Sequence, residues 1–87
     1  MTCILINEEN RGTIGVTTDY KSAIKWLIKE RWLDDNTNLY IDDEWVTMTE
    51  WVPDWKNYLL VLEPDEIKEL FDGLFYFKEI EFYNAAD

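Results

Sequence analysis

The chain has 87 residues, 47% of them apolar and 16% aromatic, which is enough for one hydrophobic core and too few for two. It carries a formal net charge of −11, a single cysteine and no histidine. An internal disulfide and a cysteine-based zinc site are therefore excluded, and the commonest general base and transition-metal ligand is missing.

Taken in order, Thr2 to Asn7 is a short apolar run whose isoleucines favour a strand. The N-terminus has no basic stretch before it and no small-residue cleavage site, so it reads as a first strand and not as a signal peptide. Cys3, beside Ile4 and Leu5, reads as a small buried hydrophobe. Residues 8–12 form a turn, with Asn10 and Gly12 tolerating positive φ, and Thr13 to Thr17 a second strand, giving an N-terminal hairpin. Gly15 inside that strand implies a bulge or a close backbone approach.

Thr18 is the expected N-cap of a helix over about 19–33, closed by Trp32 and Leu33. Tyr20, Ala23, Ile24, Leu27 and Ile28 recur at helical spacing and mark its buried face. Lys21, Lys25 and Lys29 mark its solvent face. After the polar loop 34–38, Leu39-Tyr40-Ile41 and Trp45 to Met48 read as a second hairpin around an acidic turn, Asp42-Asp43-Glu44. Glu50 to Pro53 breaks the pattern, Asp54 to Tyr58 reads as one helical turn, and residues 59–62 fit either a strand or a buried helix. Glu63-Pro64-Asp65-Glu66 starts a helix over about 64–72, with Ile67, Leu70, Phe71 and Leu74 apolar and Gly73 as its C-terminal cap. Phe75 to Tyr83 is a last strand, and Asn84 to Asp87 are expected to fray. The expectation is a single α+β domain over 1–87: one small antiparallel or mixed sheet of about four or five strands with two helices packed against it.

The charge is unevenly placed. Residues 1–33 hold four acids and five bases, whereas residues 34–87 hold fifteen acids and three lysines. Such a field repels nucleic acid and acidic membranes and attracts basic surfaces. No apolar run reaches the ~18–20 residues of a membrane span, and a small domain without disulfides suits a reducing compartment, so the expected location is the cytoplasm.

The carboxylates single out no catalytic pair for glycoside hydrolysis. Asp34, Asn36 and Asn38 occupy the first ligand positions of a calcium loop, but Leu39 and Trp45 stand where that loop needs glycine and glutamate. No glycine-rich phosphate loop is present. What remains is acids interleaved with aromatics. Asp42, Asp43, Glu44, Trp45, Glu50, Trp51, Asp54, Trp55, Glu79 and Glu81 are the expected partner-binding residues, their carboxylates standing in for phosphates and their rings anchoring the interface. The competing expectation places the tryptophans in the core and leaves the acids as solubilising charge.

The stretch Asn7-Glu8-Glu9-Asn10-Arg11-Gly12-Thr13-Ile14-Gly15-Val16, followed by Tyr20, Ala23, Ile24, Leu27 and Ile28, looks like the opening of small proteins encoded by bacterial viruses. In size, charge and lack of catalytic groups the whole chain resembles small acidic viral inhibitors of the anti-CRISPR and DNA-mimic kind. That resemblance implies a non-catalytic inhibitor without cofactor that docks on a basic nucleic-acid-binding protein. The alternatives are a self-associating accessory protein with an aromatic homodimer interface, and a small carboxylate metal-binding domain.

Overall fold

A computed structural model describes residues 2–81. Its strands are β1 (Thr2–Glu8), β2 (Gly12–Thr17), β3 (Asn38–Ile41), β4 (Glu44–Thr47) and β5 (Phe75–Glu81), and its helices are α1 (Tyr20–Lys29), α2 (Met48–Trp51), α3 (Trp55–Leu59) and α4 (Pro64–Leu70). The α+β class holds. The five strands divide between two sheets where the sequence reads as one: an antiparallel sheet in the order β2-β1-β5 and a separate β3-β4 hairpin. The expected continuation of β5 through Tyr83, and residues 84–87, lie outside the described residues.

β1 is the central strand of the three-stranded sheet and carries three buried side chains, Cys3, Ile4 and Ile6. Ile4 and Ile6 point into the core beside Phe77, while Cys3 is buried on the alternate side of the strand. Both readings of Gly15 are realised. Ile6 pairs with Gly15 and Asn7 with Thr13, so Ile14 is the extra residue of a bulge. The Gly15 backbone also lies so close to α1 that an added Cβ would meet Trp26 Cη2 and Cζ2 at 2.9 Å.

α1 is capped one residue later than expected. The Asp19 carboxylate, not the Thr18 hydroxyl, accepts from the Ser22 N–H at 2.7 Å, three residues along as an N-cap requires. The helix also ends at Lys29, short of Leu33. Arg31 turns the chain with φ of 62°, Trp32 N donates to Leu27 O at 2.9 Å and Arg31 N to Ile28 O at 3.1 Å, which is a Schellman stop. The apolar Trp32-Leu33 pair mimics a last helical turn in sequence but folds back under the helix. An arginine in this left-handed position is strained, so Arg31→Gly is expected to raise stability by about 0.5–1 kcal/mol. A lower urea midpoint in that variant would contradict the assignment.

The second half is built from short pieces. Asp42 and Asp43, with φ of 52° and 65°, form a two-residue hairpin turn, and Glu44 belongs to β4 opposite Ile41. Met48, expected in the strand, instead begins α2, which takes in Glu50 and Trp51 before the expected break arrives at Val52-Pro53, where Val52 is extended at φ of −144°. Thr47 and Glu50 form a capping box: Glu50 N donates to Thr47 Oγ1 at 3.2 Å and Thr47 N to Glu50 Oε1 at 3.0 Å. α3 confirms the helical turn after Asp54 and ends with the buried Leu59, and residues 60–62 follow as turns instead of forming a strand. α4 opens at Pro64 as expected, with Glu63 N donating to Glu66 Oε1 at 3.1 Å, and ends at Leu70 rather than residue 72. Gly73 follows at φ of 87°.

One buried cluster joins the two halves. Ile24 and Leu27 of α1 pack with Leu39, Met48, Trp55, Leu59, Ile67, Phe71 and Phe75. Trp55 is the largest of the fully buried side chains, and its indole Nε1 donates to Asp35 Oδ1 at 2.9 Å. The same loop is tied to α2 by Met48 N to Thr37 O at 2.9 Å.

Candidate functional site

The hairpin tip, the α2–α3 segment and α4 enclose a groove of about 360 Å³. Tyr40, Ile41 and Asp42 come from the hairpin, Trp51 and Tyr58 from α2 and α3, and Leu62 from the turn after α3. α4 contributes Glu66, Glu69 and Leu70, which share one stripe of the helix because they are three and four residues apart. Trp51 and Tyr58 meet edge to face with centroids 5.3 Å apart. Among the described residues three acids, three aromatic rings and no base line this groove. A second depression, formed by Ile28, Arg31, Leu33, Asp34, Asp35 and Lys56, mixes both signs of charge.

The expected site residues part company here. Asp42 and Trp51 enter the groove. Asp43 lies beside it at the tip, and Glu44 is exposed at the start of β4. Trp45 is 68% exposed and lies 5.1 Å, ring to ring, from its cross-strand partner Tyr40, itself 57% exposed. Trp55 corrects the expectation of a surface anchor: it is only 1% exposed. Four of the acids have structural partners. Glu50 belongs to the capping box, Asp54 accepts from Asn57 Nδ2 at 3.0 and 3.2 Å, and Glu81 Oε2 accepts from Thr2 Oγ1 at 3.0 Å. Glu79 Oε1 accepts from the Tyr20 hydroxyl at 2.9 Å and sits 3.7 Å from Lys68 Nζ, tying β5 to α1 and α4. The groove also uses Tyr40, Tyr58, Glu66 and Glu69, which sequence reasoning missed. The Glu66–Glu69–Leu70 spacing was legible on α4, but nothing in sequence placed it opposite Asp42.

The groups with shifted acidity are explained by structure outside the groove. Burial, and then the hydrogen bond to Glu79, raises the Tyr20 hydroxyl, and the Tyr20 contact raises Lys68. Backbone N–H donors hold the carboxyls of Asp19 and Glu50 below their ordinary values, Ser22 for the first and Thr47 for the second. A carboxyl lowered in the folded state stabilises above its unfolded pKa and loses that contribution as pH falls through the folded value. Glu50→Gln keeps the capping acceptor without the titration. Wild type is therefore expected to be slightly more stable than this variant at neutral pH, with the gap closing below the ordinary carboxyl value of 4.5. Urea midpoints across pH check it, and a gap that widened in acid would refute the cap assignment.

Among the described residues no group of three or more Asp, Glu, Cys or His side chains is arranged to hold a metal ion. The Asp34 carboxylate instead accepts from Asn36 N at 2.8 Å, closing the loop on itself. No helix among these residues is long and apolar enough to cross a membrane. No protein-family model matches the chain, and no curated protein or solved structure is significantly similar to it.

Proposed function

We propose that this chain is a non-catalytic acidic docking domain that inhibits or adapts a basic, nucleic-acid-binding protein, offering carboxylates where that protein takes phosphates. The observation that carries the reading is the groove: three carboxylates beside three aromatic rings, with no base among the described residues that line it. The surrounding charge supports it, since fifteen acids and three lysines follow residue 33. Such a field steers a basic partner during encounter, while buried ring contacts set how long it stays.

The test is retention of proteins from a bacterial lysate on the immobilised chain, followed by titration of the purified partner. A basic nucleic-acid-binding partner is expected, with affinity falling about tenfold or more as salt rises from about 50 to about 300 mM, because exposed charges are screened over that range. Affinity indifferent to salt would remove the mimicry mechanism.

Self-association is the second reading. The exposed Tyr40–Trp45 pair favours it, as do Val16 and Tyr76 on the face of the three-stranded sheet opposite Ile6 and Phe77. Sedimentation decides between them: docking to a basic partner expects a monomer, and a mass that rises with concentration supports the homodimer.

A further inference from the structure

We infer that the groove between the hairpin tip, α2–α3 and α4 recognises an arginine-bearing apolar segment of the partner protein. The inference rests on the docking reading above and names the element recognised. Its volume of about 360 Å³ is at the small end of ligand sites, room for one or two side chains and not for a folded surface. Ile41, Leu62 and Leu70 offer aliphatic contact, and Trp51 and Tyr58 offer ring faces and edges. Glu66 and Glu69 stand one turn apart on one wall, with Asp42 on the other. Among the described residues the Asp42 and Glu69 carboxylates accept no hydrogen bond and form no ion pair, so both are open to a cation from outside.

Charge complementarity selects a cation, and the rings select which one. Guanidinium is planar and weakly hydrated, stacks on aromatic faces and bridges carboxylates in a fork. Ammonium is compact and strongly hydrated, and gains less from rings at a partly wet site. Nucleic acid is repelled from the same wall.

The experiment is a two-dimensional NMR titration of the full chain with the acetylated hexapeptide Arg-Leu-Arg-Leu-Arg-Gly and with its lysine counterpart. The largest shifts are expected at the Trp51 indole N–H and at the amides of Tyr58 and Glu69, with the arginine peptide binding at least about threefold tighter. The double variant Glu66→Gln/Glu69→Gln retains the Glu63 N–H acceptor and should weaken binding about tenfold. Glu9→Gln/Glu30→Gln removes the same charge at two residues that do not line the groove and should change binding by less than about twofold, because exposed charges out of contact are screened.

Equal losses in the two variants, or millimolar peptide without shifts at the groove, would overturn the inference. The docking function would then still stand or fall on the salt dependence of its protein partner. Groove shifts that depend on protein concentration without peptide would give the site to a second copy of the chain, and overturn it too.

Discussion

Trp55→Ala is expected to lose about 3–5 kcal/mol of stability, the largest effect of any single substitution considered. Trp55 is only 1% exposed and packs in the cluster where α1, the hairpin and the short helices meet. Small domains are stable by only ~5–15 kcal/mol, so the variant should be largely unfolded or shifted to a far lower urea midpoint. Two terms add. The cavity left by an indole cannot be filled by a domain this small, and the hydrogen bond from Nε1 to Asp35 disappears. Companion variants separate them. Trp55→Phe keeps most of the volume and should cost less than the alanine change. Asp35→Asn retains an acceptor and should be nearly neutral, whereas Asp35→Ala strands the indole N–H and should cost about 1–2 kcal/mol. A Trp55→Ala protein within about 1 kcal/mol of wild type would show that this residue does not hold the two halves together.

Gly15→Val should destabilise by about 1–3 kcal/mol, even though valine is the better strand former. The obstacle is steric and local. Any Cβ at this position would lie 2.9 Å from two atoms of the Trp26 ring, inside van der Waals contact. The indole packs against the core, so making room means lifting the helix-side ring off the sheet. The cost should therefore depend on Trp26. In the double variant with Trp26→Leu, the Gly15 substitution should become nearly neutral, leaving a coupling energy of about 1 kcal/mol or more in the cycle. Simple additivity of the two changes would place the cost in the bulge rather than in the ring contact.

These two residues also show how far the sequence could be read. Gly15 announced itself, because a glycine inside a strand has few physical reasons to be there. The Pro64 helix start, the Gly73 turn and the apolar face of α1 were legible for the same reason: each follows from a local rule of backbone geometry or period. α2 was legible too, in the spacing of Thr47 and Glu50, but went unread because the adjacent Pro53 suggested a break. The end of α1 was hidden. A Schellman stop ordinarily carries glycine, and here Arg31 takes the left-handed position, so no breaker marks it.

The candidate site was legible only as a composition. The acids and the aromatics were evident, and so was the sign of the field, because charge adds up regardless of fold. Which tryptophan is core and which is surface was not. Trp45, Trp51 and Trp55 have acids beside them in sequence, yet one is exposed, one half-buried and one sealed in the core. The helical register of α3 and the approach of the loop at Asp35 decided that. By itself the sequence determined the α+β class, most strands and helices, the absence of histidine chemistry and the acidic field, since these depend on local pattern and on counting. Only the tertiary structure decided that the strands form two sheets, that Glu79 and Glu81 have partners on neighbouring elements, and that Asp42, Glu66 and Glu69 line one groove with aromatic rings. Those relations join residues more than twenty positions apart, and only packing around a shared core brings them together.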